Sequence, residues 1–448
     1  MASPSPHIIP REEHQLSRNM LSENALKVLQ RLNKAGYTAY LVGGCVRDGL
    51  LGMTPKDFDV ATNATPDQVK ALFRNAMIIG RRFRIVHVRF GREVIEVTTF
   101  RGTHEENNDG NRSQRSEAGM LLRDNVWGSV DEDAMRRDFT INALYYDVQD
   151  RSIHDWANGA EDLKEGKVRL IGDPETRYRE DPVRMLRAVR FAAKLDFEIE
   201  AHTAEPLHEL APLLLSISPA RMFDEVLKLF LSGAALKTYH RLREQGLFAM
   251  LFPATFDALS VVPWAEKLIE QSLINTDERV RQDKPVTPAF LYGALLWPAV
   301  VMDTQAFMIE GVPLVPAQQQ AAQQVLSRQL QHTAIPKRFS MPMRDIWDLQ
   351  LRLPRRKGKR AEQILNQQRF RAGFDFLLLR EQAGEIPPGL GDWWQQYQDA
   401  GEAERQSMAS NVPSKPTDNE DLPPMSSEAT PPPRKRRRPR RRSPRKNQ

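Results

Sequence analysis

The stretch YLVGGCVRDGLLGMTPKDFDVAT, residues 40–62, decides how the rest of the chain is read. It opens on a short apolar strand, Tyr40 to Val42. The Gly43-Gly44 turn follows, then a helical turn from Val46 to Leu51, a loop, and a second strand from Asp57 to Thr62. Side chains on a strand alternate between its faces. Asp57 and Asp59 therefore share one face, and Phe58 and Val60 the other. Carboxylates held side by side repel unless a cation lies between them. Mg²⁺ prefers such oxygens and takes others from a substrate phosphate. A Gly-Gly turn lets backbone approach that phosphate. The parts together point to metal-assisted phosphoryl transfer on a nucleotide.

A bare D-x-D is commonly a solvated strand end, and a bare Gly-Gly is commonly a turn. Joined in this order, about a dozen residues apart, they resemble the nucleotidyltransferase superfamily. The branch is the one holding bacterial CCA-adding enzymes and poly(A) polymerases, and the resemblance runs over residues 22–373. It implies an α+β chain. An N-terminal head, a mixed β-sheet with helices, is followed by an all-α neck and body and a disordered basic tail. The expected boundaries are a loose arm at 1–21, the catalytic head at 22–155, the neck at 156–270, an RNA-binding helical region at 271–398, and the tail at 399–448.

On either side of the opening stretch the sequence supplies elements of a head. Ser22 caps a helix with apolar residues Ala25, Leu26, Leu29 and Leu32, stopped by Gly36. Thr65-Pro66-Asp67-Gln68 forms a capping box for a second helix. Two strands are expected at 77–90 and 92–101. On the second, Glu96 reads either as a third carboxylate approaching Asp57 and Asp59 or as an exposed residue of a half-buried strand. Residues 102–128 read as a long polar loop, a candidate lid. Ser129 to Glu132 forms another capping box, ahead of RRDFTINAL (136–144) and a hairpin over 145–156.

Arg136, Arg137 and Asp138 read as a surface charge cluster or as a triphosphate and ribose site. The resemblance favours the second, with Asp138 on a sugar hydroxyl. Gly43, Gly44, Arg47 and Asp48 would shape the nucleotide pocket. Glu180, Asp181 and Arg184 match the family motif E-D-x-x-R, in which the Asp and Arg read the incoming base. An acceptor beside a donor suits adenine and cytosine but not guanine or uracil. Arg184, Arg187, Arg190 and Lys194 lie broadly on one helix face; Arg187 is assigned to nucleotide, Arg190 and Lys194 to RNA. Further along, 337–380 interleaves aromatic residues with Arg355, Arg356, Lys357, Lys359 and Arg360, as RNA backbone contact requires.

Composition limits the alternatives. A chain of 448 residues has room for roughly two to four domains. Its single cysteine, Cys45, excludes an internal disulfide and reads as filler in the glycine turn. No His/Cys cluster asks for zinc. The N-terminus lacks a signal-peptide core, and the longest apolar run, Ala294 to Met302, contains Pro298 and is too short for a bilayer. A cytoplasmic monomer is expected. The net charge is +6, but residues 434–448, which include Arg434, Lys435 and Arg436, hold ten basic residues and no acid. Without them the chain has 54 basic against 58 acidic residues, a charge of −4.

These features imply a template-independent polymerase that uses ATP and two Mg²⁺ ions, held by Asp57 and Asp59, to extend RNA 3′ ends. DNA is not expected as a partner. The run IIGRRFRIVHVRF (78–90) resembles poly(A) polymerases, and Arg81 and Arg82 are placed to brace the pocket in one shape. The basic tail suits RNA of any sequence. A CCA-adding enzyme is the alternative, and a non-catalytic RNA-binding protein is disfavoured by the intact carboxylates.

Overall fold

A computed structural model describes residues 5–80, 84–102, 113–115, 121–124 and 126–412. The lid expected at 102–128 lies mostly outside these residues, as do Arg81, Arg82 and the 434–448 tail. Ten strands are used below: β1 (His7–Ile9), β2 (Ala39–Val42), β3 (Asp59–Thr62), β4 (Ala76–Ile79), β5 (Ile85–Phe90), β6 (Glu93–Thr99), β7 (Ser113–Arg115), β8 (Leu121–Asp124), β9 (Leu144–Tyr146) and β10 (Ile153–Asp155). Eight of them form one sheet in the order β1-β10-β9-β2-β3-β6-β5-β4. Within it β3 and β6 run parallel while their neighbours run antiparallel, so the sheet is mixed as expected. Strands β7 and β8 pair separately within the expected loop.

Local chemistry explains the first helices. In α1 (Glu23–Lys34) the Ser22 hydroxyl accepts from Asn24 N and Ala25 N, and Ala25, Leu26, Val28, Leu29 and Leu32 are buried. The helix α2 (Gly44–Leu50) begins directly after β2. The helix α3 (Pro66–Leu72) carries both halves of its capping box. Cys45 is buried, its thiol donating to Val42 O at 3.2 Å, and burial pushes its pKa up to about 12. It packs and does not react.

Four local expectations change. Strand β3 begins at Asp59, because its ladder with β2 ends at the pair Val42–Asp59, where Gly43 turns away. Asp57 and Phe58 precede the strand, yet the alternation persists: Phe58 and Val60 are buried and Asp57 is exposed. The run 77–90 divides into β4 and β5, an antiparallel pair, because Gly80 adopts a φ of +80° that stops β4. The loose arm is a docked segment: β1 pairs with β10, and Leu16 is fully buried against Gly49. Ordered helix also passes the expected boundary at 398. The helix Glu402–Ser410 follows Leu390–Asp399, and its Ala409 joins a core shared with Leu353, Phe374, Trp394 and Tyr397.

After the head the chain is mainly helical, as its three- and four-residue apolar spacing predicts, but the neck expected to be all-α also holds a short parallel pair, Lys167–Val168 with Glu198–Ile199. The helices that bear on the site are α4 (Val130–Arg136), α5 (Gly159–Glu165), α6 (Pro174–Glu180) and α7 (Val183–Leu195). Met185, Leu186, Val189 and Ala193 on α7 are buried, joining neck to head. Among the described residues, no helix is long and apolar enough to cross a membrane.

Candidate active site

The sheet register brings the site together. Strand pairing sets Asp59 beside Val42 on one side and Glu96 on the other. Gly43, next after Val42, has φ +75° and ψ −137°, a conformation that L side chains rarely adopt. A Cβ there would sit 3.6 Å from Asp59 Oδ2 and 3.8 Å from Arg137 Nη1. The glycine thus lets backbone, carboxylate and guanidinium share one small space.

Asp57 and Glu96 act on Asp59 through charge. Burial, reinforced by Glu96 and Asp57 and opposed by Arg137, raises the Asp59 pKa to about 6. An acid with this surplus of negative neighbours fits a cation site. The three carboxylates do not converge on one point, however. Among the described residues, the groups of three whose ligand atoms all lie within 4.8 Å are Asp147, Asp150 and His154, and His240, Glu266 and Glu270. Glu96 turns towards His87, whose Nε2 is 3.2 Å from Glu96 Oε1.

Arg137 is held from behind. Its Nε donates to Tyr145 Oη at 2.7 Å and its Nη2 to Asp133 Oδ2 at 3.1 Å, while Tyr145 Oη donates to the same carboxylate at 2.5 Å. These partners outweigh burial and keep the guanidinium charged. Its Nη1 lies beside the Gly43 turn. Arg136 is directed elsewhere, its Nη1 donating to Gly102 O.

Asp138 is engaged by the protein on both oxygens. Oδ1 accepts from Phe139 N at 2.9 Å and Asn142 Nδ2 at 3.3 Å; Oδ2 accepts from Arg187 Nε at 2.6 Å. Burial alone would raise its pKa, but Arg187 and the amide donors hold it at about 2. Arg47 is only 3 % exposed, bonded to Asp48 and to Asn142 Oδ1 at 2.6 Å. Gly44 packs close to it: a Cβ there would be 3.5 Å from Arg47 Nη2. Arg47 and Asp48 therefore brace the pocket from the protein side.

The basic face of α7 is not a solvated stripe. Arg184 Nη1 donates to Arg177 O at 2.7 Å and Glu180 Oε2 at 3.1 Å. Lys194 Nζ lies 3.9 Å from Asp48. The guanidiniums of Arg47, Arg187 and Arg190 stand 5.1, 5.2 and 4.9 Å from the Phe191 ring. Burial lowers the Arg190 pKa to about 10. The charges of the helix meet Asp48 and Asp138 of the head, Glu180 of α6 and the Phe191 ring of α7 itself.

Two arginines escaped the sequence reading. Arg177 Nη2 donates to the carbonyls of Arg136 and Arg137, each at 2.7 Å, and its Nη1 to Glu180 Oε2 at 2.8 Å. Arg221 Nη2 donates to Asp181 Oδ2 at 2.8 Å from the next long helix, Pro219–Phe230. Arg177 lies just ahead of E-D-x-x-R, a signal that was visible; nothing in the spacing marks Arg221. Arg355, Lys357, Lys359 and Arg360 are exposed, and Arg356 half-buried, in and after the turn that follows the helix Lys337–Arg352.

Carboxylates on neighbouring strands, a glycine turn against them and an anchored arginine define a nucleotidyltransferase head. A poly(A) polymerase head-domain model matches residues 39–169, and one described as "Polymerase A arginine-rich C-terminus" matches 310–443. Between them, 196–259 match a "Probable RNA and SrmB- binding site of polymerase A". The chain belongs to the bacterial poly(A) polymerase family. It is 52 % identical to poly(A) polymerase I of Salmonella typhimurium over 93 % of this chain and 91 % of that one. Identity to the Haemophilus influenzae protein is 46 %, over 90 % of each. The CCA-adding enzyme of Lactobacillus helveticus matches at 42 %, but over 46 % of this chain and 49 % of its own. The solved CCA-adding enzyme of Bacillus stearothermophilus with CTP superposes with a TM-score of 0.56 at 28 % identity, over 84 % of this chain and 80 % of that one.

Proposed function

We propose that this chain extends RNA 3′ ends with AMP from ATP, without a template. The observation that carries this is the Asp59 setting: a half-buried carboxylate whose pKa is raised beside Glu96 and Asp57, facing Gly43 and Arg137. The 3′-hydroxyl oxygen bonds to the α-phosphorus of ATP, the bond to pyrophosphate breaks, and the hydroxyl proton leaves to solvent. Asp57 and Asp59 would hold two Mg²⁺ ions, with Glu96 flanking. When bound, Mg²⁺ relieves charge at the α-phosphate and acidifies the attacking hydroxyl. Arg137 Nη1 donates to a phosphate oxygen beside the Gly43-Gly44 turn.

The division of labour follows the sequence: 22–155 as catalytic head, 156–270 as neck, and 271–398 as the RNA-binding body. Arg187 steadies the ribose side through Asp138. Asp181, steadied by Arg221, and Arg184, steadied by Glu180 and Arg177 O, meet the base edge; Arg184 keeps its Nε and Nη2 for a ring nitrogen. A pair held from both sides suits one base, which favours ATP alone over alternation between C and A. Arg190 and Lys194, with the exposed cations after Lys337–Arg352, serve the RNA backbone. The reading carries with it a cytoplasmic monomer.

The test is product length. The protein is incubated with an unstructured RNA, Mg²⁺ and each nucleoside triphosphate separately. Long adenosine tails on unrelated RNAs are expected. C-C-A added only to a tRNA lacking its end, with arrest after the adenosine, would instead identify a CCA-adding activity.

A further inference from the structure

The core that closes the C-terminal helices is separate from the large one that runs from the sheet through the neck and body helices. From this core outward three planar groups follow one another, the buried Tyr397, the partly buried Trp393 and Arg356. Tyr397 and Trp393 stack with centroids 4.9 Å apart and planes 15° apart, and the Arg356 guanidinium stands 4.9 Å from the Trp393 centroid. The column is fixed from several directions. Tyr397 Oη donates to Glu362 at 3.2 Å, Arg405 Nε donates to Tyr397 O at 2.9 Å, and Gly358 N donates to Ala409 O at 2.9 Å.

Arg356 differs from the cations around it. Among the described residues no carboxylate pairs with it, its Nε is buried without a hydrogen-bond partner, and its Nη1 bond to Pro354 O is long at 3.5 Å. Burial therefore lowers its pKa with nothing to offset it. Arg355, Lys357, Lys359 and Arg360 surround it, all exposed. A partly desolvated cation within a basic rim, its guanidinium carbon 4.9 Å from the centre of an indole, is built to receive an anion with a planar neighbour. Among the described residues, the prominently exposed large apolar side chains all lie outside 353–410. The patch thus offers charge without the apolar protrusion that a membrane surface would engage.

We infer that the Tyr397–Trp393–Arg356 column is a seat for single-stranded RNA away from the reacting centre. Arg356 takes a phosphate, and its outer face takes a stacked base of any identity. This rests on the reading of the chain as an RNA-extending enzyme. The full-length protein is titrated with a fluorescent, unstructured RNA 20-mer at several salt concentrations, using wild type, Arg356→Ala, Arg356→Lys and Trp393→Phe. Arg356→Ala is expected to weaken binding about fivefold to tenfold and to flatten the log–log salt slope by about 0.7. Arg356→Lys should keep the slope but lose affinity, because an ammonium does not stack flat; Trp393→Phe should show a smaller loss at constant slope. KM for RNA should rise and KM for ATP stay unchanged. Affinity and slope that match wild type in both Arg356 variants, with melting temperatures intact, would overturn the column as a seat. So would loss of binding to anionic vesicles in Arg356→Ala with RNA affinity unaltered. If wild type binds the RNA but extends no RNA with ATP, the parent reading fails instead.

Discussion

At the scale of single residues, Asp59 makes the sharpest commitments. Asp57→Ala or Asp59→Ala should reduce nucleotide addition by at least about two orders of magnitude, measured as single-nucleotide extension at saturating ATP. The Asp59 pKa of about 6, above the ordinary 3.8, also sets pH behaviour. Below pH 4 the carboxyl is protonated in folded and unfolded chain alike. As pH rises through 6, the folded protein must give up a proton that it binds more tightly than the unfolded chain does, so stability falls. Without divalent metal, Asp59→Asn should therefore raise the melting temperature at pH 8 by about 2 °C or more and change little at pH 4. Added Mg²⁺ should stabilise wild type at pH 8 and leave the variant nearly unmoved. Leu16 gives a contrasting case: it is fully buried in a segment that composition marks as loose. Leu16→Ala should cost about 3 kcal/mol, read by urea denaturation.

At the scale of elements, the sequence disclosed what depends on local chemistry. Ser22, Thr65 and Pro66 announce helices because caps act within one turn, and the period of two placed Phe58 and Val60 in the core and Asp57 and Asp59 opposite. It could not disclose partners distant along the chain. Glu96 stayed ambiguous until the parallel β3–β6 register set it beside Asp59. The spacing of the α7 cations shows that they share a face but not which acids meet it, because Asp48 and Asp138 arrive from elsewhere in the chain. Arg177 ties α6 to the last turn of α4 through two carbonyls, a link that no periodicity encodes. Its removal should loosen the backbone that carries Arg137 and Asp138. Arg177→Ala is expected to raise KM for ATP about tenfold, the loss of roughly one charge-assisted hydrogen bond. A KM for RNA that rises equally would show the effect to be general unfolding.

At the scale of the whole molecule, charge is divided between a slightly acidic stretch, residues 1–433, and a strongly basic end. Deleting 434–448 removes ten positive charges. RNA affinity at low salt should fall, and the slope of log affinity against log salt should lessen by about 0.7 for each phosphate that the tail no longer neutralises. Anisotropy titrations at low and at physiological salt would read this, and an unchanged slope would exclude the tail as an RNA arm. The strand order carries a different consequence, one of time. Strand β1 is made first on the ribosome, yet its register partner, Ile153 to Asp155, is made last of all the strands in the sheet. The edge of the sheet thus stays open through the synthesis of the whole head, and a nascent chain halted before Ile153 has no place to seat His7 to Ile9. Such late pairing is slow and leaves strand edges exposed to misassembly. Stalled nascent chains ending before and after Asp155 should differ abruptly in protease resistance at the amino terminus, which makes the completion of the head an event with a position in the message.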